Sequence, residues 1–535
     1  MKTKKFKISF MLISLLAFTM SISAQDNIEW KTNFGGIGGN GNNQYYSVKA
    51  VSDGVIAIGS SNSFGNGDWT GVAGKGGEDA IIVKYNNNGN VVWRTNFGGR
   101  YEDSYNSVTA VSDGIIAVGD SEIFGDGDWV GVTGNGNDDA IIVKYDNNGN
   151  VVWKRNFGGR DDDSYNSVTA VSDGIIAVGN TDAFGYGDWV GVTGNGSDDA
   201  IIVKYDNNGN VVWKKNFGGR DDDEFNSVIA VSDGIIVVGY SDAIGTGDWT
   251  GFIGNGSEDA IIVKYDNNGN VVWKKNFGGR DEDSFDSVTA VPDGIIAVGY
   301  SDAFGYGDWA GVMGKGGDDA IVVKYDNNGN VVWKTNFGGL VDDEFNSVTT
   351  VSDGIIAVGN SDNYGFGAGD WTGVAGKGGD DAIIVKYDNN GNVVSKMNFG
   401  GYSEDDFHDV TAVSDGVIAV GYSNRGSFGN GDWYGVAEKG NSNAIIVKYG
   451  RNLTSILEPA STVSGLIIYP NPTEGQLAID NGQSPINDVK IFDVMGKIAA
   501  TYSFTDTTAN IDVSQLQPGI YFVHIEGKIA KLVVK

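Results

Sequence analysis

The sequence predicts an all-β protein: seven four-stranded units closed into a ring, followed by a small β-sandwich. Three observations carry that expectation. The segment W-K/R-x-N-F-G-G starts at Trp30, Trp93, Trp153, Trp213, Trp273 and Trp333, and returns with serine in front at Ser395. Residues 91–150 and 151–210 agree at 50 of 60 positions without a gap. Each unit holds four short runs of β-branched residues separated by turn signals. Repetition at this period marks one supersecondary unit that cannot bury its own apolar face and is therefore stacked.

The elements follow in order. Lys2, Lys4, Lys5 and Lys7, with no acid among them, precede an apolar run from Ile8 to Met20 and then Ser21-Ile22-Ser23-Ala24. That run is too short for a membrane-spanning helix of about 20 residues, so residues 1–24 read as an export signal cut after Ala24. The repeats occupy 25–450. In the third unit Ser167 to Val171 turns through Ser172-Asp173-Gly174 into Ile175 to Gly179. A glycine-rich loop ends at Asp199, and Ala200 to Tyr205 then turns through Asp206-Asn207-Asn208-Gly209 into Val211 to Asn216. Asn-Gly between apolar runs is a hairpin signal, because both residues tolerate positive φ. A-I-I-V is apolar on both faces, as a strand sandwiched between two sheets must be.

The seventh unit has Val410 to Val413, Val417 to Gly421 and Ala444 to Tyr449, but no V-V-W run after them. The missing strand stands at Ile28 to Asn33. A closed seven-bladed β-propeller completes the last blade with that first strand, whereas an open array would leave both edges bare. Composition then changes. All 13 Trp precede Tyr434, while five of the 6 Pro lie from Pro459 onward. Residues 451–464 read as a linker and 465–535 as a separate sandwich of short strands.

Charge narrows the partners. Without the signal, 33 Lys+Arg face 69 Asp+Glu, a formal charge of −36. Such a surface repels phosphate backbones and anionic headgroups, so nucleic acid is a poor partner. With Cys 0, disulfides, thiolate metal sites and cysteine nucleophiles are excluded.

Two resemblances add to this reading. The stretch Asp319-Ala320 to Tyr325, Asp326-Asn327-Asn328-Gly329, Val331-Val332-Trp333 and Asn336-Phe337-Gly338-Gly339 resembles the bacterial seven-bladed β-propeller repeat family. That family implies a fold but no one activity, and Ser395 and Asn443 depart from its pattern. The C-terminal stretch resembles the sorting domain of the type IX secretion system of Bacteroidetes bacteria. The residues that carry this are Tyr469-Pro470-Asn471-Pro472, Val489 to Asp493 with Gly496-Lys497, and Ile511-Asp512-Val513-Ser514. Pro518-Gly519-Ile520-Tyr521 and the ending Lys531 to Lys535 complete them. The resemblance implies the type IX machinery as a partner, passage through the outer membrane, and either release or surface attachment.

No catalytic constellation is legible. The two histidines, His408 and His524, lie in different modules without a nucleophile motif, and His408 reads as a surface substitution. Carboxylates abound, so a secreted glycoside hydrolase is the competing class. Near-identical repeats, however, supply the same environment to each acid, whereas acid–base work needs two different ones. A non-enzymatic binding or scaffold protein is the expectation.

Propeller topology puts the sheet-to-sheet crossovers and the loops between second and third strands on one face. That face is acidic; it reads either as a solvated rim or as a site for calcium, the candidate cation, through Asp161, Asp163, Asp221, Asp223, Asp281 and Asp283. The loops carry G-D-W at Asp68-Trp69, Asp128-Trp129, Asp188-Trp189, Asp248-Trp249, Asp308-Trp309, Asp370-Trp371 and Asp432-Trp433. These tryptophans read either as anchors between blades or, with their aspartates, as sugar-stacking sites for a glycan or protein ligand. The V-V-W tryptophans read as core.

Overall fold

The computed structural model describes residues 28–38, 41–122, 124–451, 467–469, 473, 475–480, 486, 488–493, 497–504, 508–525 and 528–535. The export signal, nearly all of the linker, and Pro470, Asn471, Pro472 and Gly496 lie outside these residues. The chain divides into two compact units, Met1–Ile456 and Leu457–Lys535.

The first unit is seven four-stranded antiparallel sheets in tandem, a propeller-like arrangement. Sheet three runs Asp163–Val171, Gly174–Thr181, Asp199–Tyr205 and Val211–Phe217, in that spatial order. Sheets one, two, four, five and six repeat it from Asn43, Asp103, Asp223, Asp283 and Asp343. Sheet seven combines Asp405–Val413, Gly416–Asn424 and Ser442–Gly450 with Ile28–Phe34 as its fourth strand. That strand pairs antiparallel with Ser442–Gly450, Lys31 opposite Val447 and Phe34 opposite Ala444.

Strand chemistry explains the stack. In sheet three, Ala200 and Ile202 pack towards sheet four, while Ile201 and Val203 pack towards sheet two. Seven such clusters exist, and one joins Ile418, Val420, Ala444 and Ile446 of sheet seven to Val55, Ala57, Ile81 and Val83 of sheet one. Hairpins are set by side chains: Asp206 Oδ1 accepts the N–H groups of Asn208 and Asn210 at 2.8 and 2.9 Å. Gly209 has φ +78°, and a Cβ there would meet the Trp153 ring of the preceding sheet at 3.0 Å.

The V-V-W tryptophans are thus half-buried covers over the next sheet's hairpin rather than core; the Trp153 indole N–H also donates to the Asn207 carbonyl at 3.4 Å. Sheet seven has no such hairpin, because its fourth strand comes from Ile28–Phe34. At position 395, where that hairpin is lacking, a buried serine stands in place of the indole.

The second unit has a three-stranded sheet (Ile467–Tyr469, Gln476–Asp480, Thr508–Asp512) and a four-stranded one (Ile498–Ser503, Asp488–Asp493, Gly519–Ile525, Lys528–Val534). Leu477, Ile491, Val523 and Leu532 belong to its core. Among the described residues there is no α-helix, and no helix is long and apolar enough to cross a membrane.

Candidate functional site

The loop between second and third strands is built around a short 3-10 turn, Gly187–Trp189 in sheet three. Trp69, Trp129, Trp189, Trp249, Trp309, Trp371 and Trp433 are all 0% exposed. This overturns the sugar-stacking expectation, since a buried indole offers no face to a glycan. Each ring instead stands edge-on against the phenylalanine of the preceding sheet's fourth strand, as Trp189 does on Phe157 with centroids 5.0 Å apart and planes at 87°. The Trp189 indole N–H donates to Asp163 Oδ1 at 3.1 Å. The bond recurs from Trp129, Trp249, Trp309, Trp371 and Trp433. Trp69 Nε1 has no partner, because Asn43 stands where the aspartate would be and its Oδ1 accepts from Ser61 and Ser63.

The G-D-W aspartates are braces as well, not free ligand groups. Oδ2 of Asp68, Asp128, Asp188, Asp248, Asp308, Asp370 and Asp432 accepts the N–H of the glycine that opens the crossover, at 2.9–3.2 Å. A second donor reaches across from the preceding sheet. It is Asn135 for Asp188, Asn195 for Asp248 and Asn255 for Asp308. It is a lysine for the other four: Lys75 to Asp128, Lys315 to Asp370, Lys377 to Asp432 and Lys439 to Asp68.

The calcium expectation also fails on geometry. Asp163, Asp223 and Asp283 are buried, bound to an indole N–H and to the crossover N–H of Gly159, Gly219 and Gly279 at 2.6–2.7 Å. Asp161, Asp221 and Asp281 stand exposed, two residues away in the crossover. The two sets do not converge. Among the described residues no three His, Cys, Asp or Glu side chains come together as a metal ion would require.

What the loop face does present is carboxylate without counter-charge. Between sheets two and three, Glu102, Asp120, Glu122, Asp138 and Asp162 line a hollow of about 590 Å³ with Gly136 and Asn137. Burial and then the charges of Asp120, Asp162, Glu122 and Glu102 push the Asp138 carboxyl up to about 6. At the next seams the pattern repeats. Burial with Asp342, Asp302 and Glu282 takes Asp318 to about 6, and burial with Glu282 and Asp242 takes Glu258 to about 8. None of these acids has a lysine or arginine as ion-pair partner among the described residues. Of the repeated arginines, Arg160 lies over the Tyr186 ring at 4.2 Å and Arg280 over Tyr306 at 4.1 Å, while Arg100 pairs with Asp126 at 3.6 Å.

On the opposite face, made of hairpins, the buried lysines of the third strands are all paired, while the D-N-N-G aspartates accept from asparagines. Each third-strand lysine pairs with the aspartate of the S/P-D-G turn, as in Lys144–Asp113 and Lys204–Asp173, both 2.8 Å. The lysine holds Asp113 and Asp173 below the usual carboxylate range.

Inner strands meet through a bulge. The register of Asp163–Val171 slips between Tyr165 and Ser167, which leaves Asn166 unpaired and aims it at sheet four, where it donates to the Phe225 carbonyl at 3.3 Å. His408 holds this position in sheet seven, so it is a seam residue and not the surface substitution expected. The sequence carries no signal for this, because the bulge is set by pairing. Asn443 keeps its repeat's role, accepting the Lys439 N–H at 2.8 Å as Asp139 accepts that of Asn135.

In the second unit, the Tyr521 hydroxyl donates to the Gln517 carbonyl at 2.9 Å, and Gly519 opens the strand that carries it. Lys531 pairs with Phe522, and the Lys535 N–H donates to the Thr473 carbonyl at 2.9 Å. Residues 467–535 match the family of secretion system C-terminal sorting domains. The C-terminal module is a type IX sorting domain. It marks the chain for secretion or cell-surface export and implies contact with that machinery.

Regulatory protein FlaEY of Caulobacter vibrioides is 26% identical over 204 residues, 36% of this chain and 21% of that protein. This chain thus matches about a fifth of the relative's length. Among solved structures, the WD40 β-propeller domain of Doa1 aligns with 96% of its length and 78% of this chain at TM-score 0.39 and 12% identity. Sqt1 from Chaetomium thermophilum aligns with 99% of its length and 80% of this chain at TM-score 0.39 and 11% identity.

Proposed function

We propose that this is a non-enzymatic binding or scaffold protein that works outside the cell. On this reading residues 25–450 are a closed seven-bladed propeller, exported by the type IX system and either released or held at the outer-membrane surface. Its loop face meets a glycan or protein ligand. The observation that carries the proposal is the set of inter-sheet carboxylates on that face with no counter-charge. Such a face favours a basic protein surface or a hydroxyl-rich glycan and disfavours anions. Closure is supported by the pairing of Ile28–Phe34 with Ser442–Gly450 and by the core shared between sheets seven and one. The absence of catalysis is supported by repetition, since Asp138, Glu258 and Asp318 stand at the same position of their repeats and no single seam gathers a catalytic set of its own.

The test is binding of the full chain to glycan and basic-protein arrays at low and raised salt, beside hydrolysis assays on oligosaccharides and aryl glycosides. Salt-sensitive binding weakened by Asp138→Asn with Asp162→Asn is expected. Turnover abolished by a single carboxylate substitution would replace this reading with the glycoside hydrolase. Binding indifferent to the loop-face acids would move the site elsewhere.

A further inference from the structure

The seam between sheets seven and one is built from residues that break the repeat. At the bulge position, Asn106, Asn166, Asn226 and Asn346 each donate Nδ2–H to a carbonyl of the next inner strand, at 3.2–3.3 Å. Asparagine does this at any pH. In sheet seven the donor is His408, whose Nδ1 lies 3.0 Å from the Tyr45 carbonyl. A carbonyl only accepts, so Nδ1 carries a proton. Nε2 lies 3.2 Å from Asp406 Oδ2, another acceptor when ionised. Both contacts are satisfied together only by the imidazolium.

The groups around the ring favour that charge. From its own strand come Asp406 and Asp409. Tyr46 of sheet one stacks at 5.4 Å and 17°, and Tyr422 of the neighbouring strand stands 5.4 Å away at 53°. Asp406 also takes the Asn346 amide at 3.0 Å and faces Glu344 and Asp380. Asp409 accepts the Val48 N–H at 2.7 Å and the Ser47 hydroxyl at 2.8 Å, so a second bond crosses the same seam. No lysine or arginine is in this set.

We propose that His408 is a proton-dependent latch on the seam where the two ends of the repeat array meet. Protonated, it ties Asp405–Val413 to Asn43–Val51. Neutral, it keeps either the Tyr45 carbonyl or Asp406 but not both. Burial alone would lower its pKa, yet Asp406 and the Tyr45 carbonyl hold it above the usual imidazole range. A group whose folded pKa is raised stabilises fully below its unfolded value and loses that contribution as pH rises through the folded one. The seam therefore loosens as pH rises above the ordinary imidazole value of about 6.5.

The chain has His 2, so a His524→Gln variant leaves one imidazole to follow by NMR. Titration above the ordinary imidazole value, lowered by Asp406→Asn, is expected. Titration at or below that value, or no response to Asp406→Asn, would overturn the latch. His408→Asn copies the repeat and keeps a donor for Tyr45. Its drop in Tm between pH 6 and pH 8 should be smaller than that of the unaltered chain, and an equal drop would also overturn the proposal.

Discussion

On the hairpin face, Asp113 and Asp173 sit 2.8 Å from a lysine whose side chain is 6–7% exposed. On the loop face, Asp138, Asp318 and Glu258 face other carboxylates. One repeat thus carries both a compensated and an uncompensated acid, on opposite ends of the same sheet. The contrast separates acids that hold the fold from acids left for a partner. Charge near a neutralising lysine stabilises the sheet that bears it; charge facing only its own sign is a standing cost that a ligand can relieve.

Acidity should break the symmetry most. Burial foremost takes Asp163 and Asp223 to about 7, Asp103, Asp283 and Asp343 to about 6, and Glu258 to about 8. These raised groups favour the folded state fully below about pH 4 and withdraw that contribution as pH rises through 6 to 8. The lowered hairpin-face groups act oppositely, losing their contribution only as pH falls below about 4. Chemical denaturation from about pH 3 to 8.5 should therefore show maximal stability near pH 4. The fall towards pH 8 should exceed the effect of any one substitution. Each tenfold change in a single group's proton affinity is worth about 1.4 kcal/mol before solvent screening, and many groups act together. A flat profile from pH 5 to 8 would remove the contrast.

The next effect concerns what holds the loop face in place. Trp189→Ala empties a fully buried site and should cost about 3–5 kcal/mol, read by chemical denaturation. Trp189→Phe keeps most of the ring but loses the bond to Asp163, and should cost about 1 kcal/mol more than Trp69→Phe, whose N–H has no partner. Equal costs for the two would mean that the indole bond contributes nothing.

These anchors show what the residues alone revealed. The strands, the Asn-Gly hairpins and the fourth strand supplied by Ile28–Phe34 were legible, because β-branched runs and positive-φ turns are local signals. Trp189 was legible only as one of two alternatives. Its choice depends on Asp163, 26 residues earlier, and on Phe157 of another sheet. Asp173 was legible only as a turn residue, and no local signal marks Lys204 as its partner. Their pairing across 31 residues follows from register and needs the sheet. The acidic face was visible in composition, but which of its acids are buried braces was not.

Salt should produce a smaller change. Raising sodium chloride from about 20 to 300 mM shortens the Debye length from roughly 20 Å to under 8 Å. Like-charge repulsion on the loop face should be screened more than the close ion pairs on the hairpin face. Tm should rise by a few degrees at pH 8 and by less at pH 5, where protonation has already relieved the repulsion. A fall at pH 8 would place the dominant charge effect in the ion pairs instead.

The most direct measurement compares two neutralisations within sheet two. Asp138→Asn removes a carboxylate from the uncompensated hollow, and Asp113→Asn removes one that serves Lys144. At pH 7.5 and low salt, Asp138→Asn should raise Tm and Asp113→Asn should lower it. Each effect should amount to about 1 kcal/mol or less, since solvent reaches both sites. If both substitutions lower Tm, or if Asp138→Asn leaves it unchanged, the loop face is not the uncompensated surface on which the functional reading rests.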